Sequence, residues 1–184
     1  MRWLRKSTGE DHFDPIGTFV PENIPEIGDH LEAHDVLDGD RHIAVHQCAR
    51  DLYETFGVYD MTFGYNLADL NRDRRHPDAG CRYAESATEN DVLLIAFTPT
   101  TEFCPAAEPL AVGMARAWNR SETAPYGLVR VRVSPMYHAS ETLNRRLRDM
   151  VVGESEFGSS VSDHDGESHR NQSGADPGVA PPDR

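Results

Sequence analysis

Lysine is nearly missing from this chain. Of its 18 basic residues only Lys6 is lysine and the rest are arginine; against them stand 31 acidic residues, for a formal charge of −13. A field of that sign repels phosphates, so no nucleic-acid or anionic-membrane partner is expected. An acidic, lysine-poor surface fits a cytoplasm rich in salt, where screening is strong. GC-rich codon usage plus an acidic tail gives the same composition, and both readings stand. Cysteine is scarce too. Cys48, Cys81 and Cys104 are the whole complement, with no CxxC spacing, which is too few for a dense disulfide framework. No apolar run reaches the length of a membrane span. The N-terminal "MRWLRKSTGEDHFD" carries charge without an apolar core, so no secretory signal is read there. A soluble, reduced, cytoplasmic protein is the expectation.

What is present divides into three stretches. Residues 1–40 hold scattered apolar residues and three prolines, Pro15, Pro21 and Pro25, and read as a partly ordered arm. Residues 41–152 have the size of a compact domain. Residues 153–184, rich in Gly, Ser, Asp and Pro, cannot bury enough apolar area to offset their ordering entropy and are expected to be a disordered acidic tail.

From the end of the arm through the middle stretch, periodicity predicts the elements. A short helix is expected over 30–37, with Asp29 and Glu32 at capping-box spacing. A longer one is expected over 41–56, with Ala44, Cys48, Leu52 and Phe56 as its apolar stripe, Val45 and Ala49 widening it, and Gly57 as its stop. "MTFGYNL" at 61–67 alternates like a strand with one covered face, and 71–90 reads as a long polar connection. The continuous apolar run "VLLIAFT" at 92–98 predicts a central strand buried on both faces. Helices are expected over 105–118 and 140–151, with the alternating strand "LVRVRV" at 128–133 between them. The predicted order is helix, strand, strand, helix, strand, helix. The first two strands should pair antiparallel, and the crossover from 92–98 to 128–133 should be a βαβ unit. The fold class is α+β, a small mixed sheet of three or more strands covered by helices.

Cys104 stands out chemically. In "IAFTPTTEFCPAAEPL" it precedes a proline suited to a first helical position. Free N–H groups and the helix dipole there favour the thiolate, the nucleophilic and metal-binding form. Glu102 and Glu108 oppose it, while Thr98, Thr100 and Thr101 offer hydroxyls to a sulfur or a ligand. A small apolar plug is the competing reading. A second cluster is "YHASETLNRRLRD". His138 follows a strand, Ser140 can cap the next helix, and Glu141 falls in its first turn. Acid–base or metal chemistry and plain helix capping both fit. His30 and His34, and His42 and His46, have i, i+4 spacing. They lack the Glu of HExxH and are read as solvated histidines on an acidic face.

The Cys104 block and the His138 block together resemble the SufT/PaaD-type iron–sulfur cluster assembly family (the MIP-eighteen family, related to cytosolic iron–sulfur targeting factors). The match runs over about residues 41–151. Phe97, Thr98, Pro99, Thr100 and Cys104 fit one family motif; His138, Ala139, Ser140 and Glu141 fit a second. Asn144, Leu147 and Asp149 fit the helix that follows, with one residue deleted before Asn144. Asp51 and Asp60 keep the spacing of an upstream block, but Leu52 stands at its proline position and Tyr53 at its glutamate position, with Glu54 adjacent.

The resemblance implies a small α+β domain and a non-enzymatic factor that assists maturation of iron–sulfur proteins. Cys104 would be the functional thiol, transiently holding a cluster, an iron or a partner thiol. Thr98, Thr100, His138, Glu141, Asp51 and Asp60 would shape the pocket. Clusters usually take four thiolates, so a bound cluster would be shared across a homodimer or with a partner, and no resident cofactor is firmly expected. The implied partners are iron–sulfur client proteins or other assembly factors. Two alternatives remain: an adaptor of the same fold that binds no metal, and a thiol enzyme using Cys104 and His138.

Overall fold

The apolar run at 92–98 organises the fold. In a computed structural model, which describes residues 12–158 and their side chains as far as residue 151, this run is the strand β5, and its Leu93, Ile95 and Phe97 are fully buried. The elements in chain order are α1 (Asp29–Glu32), β1 (Asp35–Val36), α2 (Gly39–Phe56), β2 (Tyr59–Asp60), β3 (Tyr65–Asn66), a 3-10 segment Leu67–Arg72, β4 (Gly80–Glu85), β5 (Val92–Thr98), α3 (Ala107–Arg120), β6 (Leu128–Val133) and α4 (Ser140–Gly158). A four-stranded mixed sheet runs β1-β4-β5-β6, antiparallel except for the parallel β5–β6 pair. This is the expected α+β class, and α3 is the crossover of the expected βαβ unit.

Side-chain periodicity explains the coverage. Ala107, Leu110, Ala111, Met114 and Trp118 of α3, Leu143 and Leu147 of α4, and Val129, Val131 and Val133 of β6 are all buried in one continuous core with α2. Pro109 falls in the first turn of α3, where a backbone N–H has no intrahelical partner to lose. A smaller cluster of Leu31, Ala84, Val92 and Leu94 packs under α1 on the other side of the sheet.

Three asparagines act as clamps on strand backbone. Asn119 exchanges two hydrogen bonds with Val129 and Asn144 exchanges two with Val133, so both serve the edge strand β6. Asn71 does the same for Cys81 of β4. Gly80 makes this last clamp feasible, since a Cβ there would lie 2.3 Å from the Asn71 side-chain oxygen.

Several expectations are corrected. Residues 61–67 do not form a strand. Asp60 accepts bonds from the Thr62 and Phe63 N–H groups, and Gly64 adopts φ +73, so turn chemistry overrides the alternation and leaves two short strands, with Met61 88% exposed at the tip. The polar connection 71–90 contains β4, which is the true antiparallel partner of β5. Arg82 and Glu85 disguise it, although Cys81, Tyr83 and Ala84 are buried. With β4 in that place, α2, β4, β5, α3, β6 and α4 follow the predicted order, and α1, β1 and the β2–β3 pair are additions to it. The 30–37 helix stops at Glu32, and 35–36 instead joins the sheet as an edge. The buried stripe of α2 holds the expected Val45, Ala49 and Leu52 but centres on them with His42 and Tyr53, leaving Ala44 and Phe56 exposed, because histidine and tyrosine count as polar in an apolar pattern. α4 runs past 151 to Gly158. The rest of the predicted disordered tail, 159–184, lies outside the described residues, as do residues 1–11 of the arm.

Candidate functional site

At the C-terminal ends of β5 and β6 two connections close on each other. The Ser134 N–H donates to the Phe97 carbonyl at 2.8 Å, directly after β6. The His138 backbone N–H then reaches the Glu102 carbonyl at 3.1 Å, and His138 Nδ1 reaches the same oxygen at 2.9 Å. A carbonyl only accepts, so Nδ1 is the donor in this bond. The ring is flanked by Phe103 at 5.0 Å and Tyr137 at 4.7 Å. Asn144, clamped on Val133, anchors this turn from α4.

Cys104 lies ahead of α3, in a turn where its N–H donates to the Thr101 carbonyl and its own carbonyl accepts from Ala107. Ala106 is the N-cap, so Pro105 precedes the helix instead of starting it. The thiol is free and buried in the main core. Thr98 and Thr100 are half-buried along the elbow between β5 and this turn. Of the two flanking glutamates, Glu108 is ion-paired with Arg146 of α4, which offsets its charge near the thiol. Glu141 is exposed in the first turn of α4, and Ser140 is the first residue of that helix, itself buried.

The structure thus gathers Thr98, Thr100, Cys104 and His138 at one corner, with Glu141 just beyond. Asp51 and Asp60 sit on other elements. Asp51 is exposed on α2, and the Asp60 carboxylate is engaged by the β2–β3 turn. Cys81 is not in a loop; it is buried in β4, where burial pushes its thiol up to about 12. Among the described residues no group of three or more His, Cys, Asp or Glu is arranged to hold a metal ion.

The histidines of α2 are a correction. They are not solvated on an acidic face, because the arm crosses over them. Phe13 bridges to Asp73, the Asp14 N–H donates to the Arg72 carbonyl, and Arg72 Nε donates to the Asp14 carbonyl. Phe19 then packs on His42 at 4.9 Å between rings. His42 stacks on His46, and both lie against Tyr83. His46 bridges the Tyr83 hydroxyl and the Ala68 carbonyl, each at 2.9 Å; the carbonyl fixes its Nε2 as the donor. Burial pulls His42 down to about 3, helped by His46 and Arg82, and His46 to about 4. Both rings are neutral at pH 7. His30 is half-buried and also lowered to about 4, by burial and then Arg132, while His34 accepts the Ala87 N–H. The signal that could have found the α2 pair is that His42 continues the stripe Val45, Ala49, Leu52 at helical spacing.

A family model described as a domain of unknown function, DUF7998, matches residues 11–161. No curated protein matches the chain. No helix among the described residues is long and apolar enough to cross a membrane.

Proposed function

The chain belongs to the DUF7998 family, and we propose, from the resemblance of its 97–104 and 138–141 blocks, that it is an iron–sulfur cluster assembly or targeting factor of the SufT/PaaD type, working in the reducing cytoplasm on iron–sulfur client proteins. One observation carries the reading. The two sequence blocks that resemble that family, 97–104 and 138–141, are far apart in sequence, yet His138 is bonded twice to Glu102. The blocks form a single corner, as a shared function requires. Phe103 at 68% and Met136 at 42% exposure add apolar surface next to His138, suited to contact with a client.

Two versions differ in what Cys104 does. In the carrier version the thiol takes up iron or a cluster with ligands supplied by a second copy or a client, and the 101–104 turn must open to expose it. In the adaptor version Cys104 is packing and the corner only docks a client. Its burial in the core favours the adaptor. The same burial weighs against a thiol enzyme, which needs an accessible nucleophile.

Anaerobic purification and reconstitution with iron and sulfide, followed by transfer to an apo-ferredoxin, tests the carrier version. Wild type should hold and deliver iron, and Cys104→Ala should not. Equal behaviour of the two, with no delivery by either, ends that version. Capture of iron–sulfur clients by both wild type and Cys104→Ser then supports the adaptor, and loss of capture with Cys104→Ser contradicts it.

A further inference from the structure

Three buried polar side-chain atoms lack a hydrogen-bond partner among the described residues: His30 Nε2, His42 Nδ1 and Arg82 Nε. The last two pack on one ring. Phe19 of the arm lies 4.9 Å from the His42 ring, and the Arg82 guanidinium carbon stands 5.9 Å from the Phe19 centroid. His42 is only 3% exposed and Arg82 6%. Burial of unpaired groups costs stability unless something supplies the missing partner.

A crevice lies at this seam, closed by the arm. Its walls include Phe19, His42, Gln47, Arg50, Asn71 and Arg72, and its cavity volume is about 30 Å³. That is room for one or two water-sized groups and too little for a drug-sized organic ligand.

The charges around it do not balance. Arg50 and Arg72 both bond the same oxygen of a single carboxylate, Asp69. Two guanidinium groups sharing one carboxylate leave one positive charge over, within a chain whose net charge is −13. Asp14, the other carboxylate at the crevice, is engaged by Asn23 at 2.6 Å and by Arg74. Glu54, which Arg50 also influences, is exposed and held by Tyr59 and Asn66. Each guanidinium has five N–H donors, so Arg50 and Arg72 keep donors that Asp69 does not use. An unpaired imidazole nitrogen, surplus cationic donors and a cavity of ionic size have one common complement.

We propose that the crevice under the arm binds a compact monovalent anion, of chloride or formate size, on the His42 Nδ1–H and the spare N–H groups of Arg50 and Arg72. The His42 ring stays neutral, with its proton on Nδ1. The ion sits between the arm on one side and α2 with the 3-10 segment on the other, so binding ties the arm down. This site is separate from the Cys104 corner, and its failure leaves the proposed function untouched.

The test uses the full chain at neutral pH and fixed sodium concentration, with chloride, bromide or formate exchanged against gluconate, which is too bulky for the cavity. Chloride NMR linewidth reads binding directly, and the unfolding temperature reads its consequence. Wild type should broaden the chloride line, and formate or bromide should sharpen it again by competition. The unfolding temperature should rise saturably in the small anions and not in gluconate. Arg50→Gln, at a partly exposed position, should raise the half-saturating chloride concentration about tenfold or more, and His42→Phe should abolish saturation. If His42→Phe does not fold, Arg50→Gln and the wild-type competition decide. Absence of broadening by wild type overturns the proposal. So does broadening that formate and bromide fail to compete, or that Arg50→Gln leaves unchanged, or equal stabilisation by gluconate.

Discussion

The Cys104–His138 corner and the seam between the arm and α2 are built on opposite plans. The corner presents exposed side chains, Glu102, Phe103, His138 and Glu141, around the buried Cys104, and is tied together through backbone: Ser134 to Phe97, and His138 to Glu102. The seam is made of buried and half-buried polar side chains tied to one another: His46 to Tyr83, and Arg50 and Arg72 to Asp69. Backbone ties hold a shape while leaving side chains free to meet a partner. Buried polar ties consume their side chains, and each depends on every other being satisfied. The seam should therefore dominate stability, and the corner should dominate function.

Acid should separate the two regions most strongly. His42 and His46 have pKa values of about 3 and 4 in the fold, against about 6.5 in an unfolded chain. The unfolded state binds more protons between those limits, so stability rises with pH. Their contribution is complete above pH 6.5 and is lost as pH falls toward 4 and then 3. At pH 5 each histidine should cost about 2 kcal/mol relative to pH 7. Urea unfolding across this range checks it; a flat profile between pH 7 and 5 would break the contrast. His46→Ala is expected to cost about 3 kcal/mol, because it removes two interior hydrogen bonds, the one from the Tyr83 hydroxyl and the one to the Ala68 carbonyl.

Effects at the corner should be smaller. Asn144→Ala removes both bonds to Val133 at the start of the His138 turn and should cost about 2 kcal/mol by urea unfolding. Hydrogen exchange at His138 should quicken with it, since the turn loses its anchor. Arg146→Met breaks the exposed pair with Glu108 and should change stability by about 0.5 kcal/mol or less. A loss above that of His46→Ala would reverse the ranking of the two regions.

The same difference decides what the sequence could reveal. The corner was legible because its parts are short contiguous blocks after strands with clear periods: the apolar run 92–98 and the alternation 128–133. The seam was not. It depends on the arm reaching α2 and β4, which no local pattern announces. The buried face of α2 hides behind His42 and Tyr53, and β4 hides behind Arg82 and Glu85. Residues 61–67 misled for the converse reason. Their alternation was real, but the Asp60 carboxylate and Gly64 make a turn at lower cost than a strand.

The central claim is that the corner serves iron–sulfur protein maturation. Its most direct test is iron–sulfur enzyme activity in cells lacking this protein, complemented with wild type, His138→Ala or Cys104→Ser. Loss of activity on deletion, restored by wild type and not by His138→Ala, is the predicted result, and Cys104→Ser then sorts carrier from adaptor. Full iron–sulfur enzyme activity in cells without the protein would contradict the account.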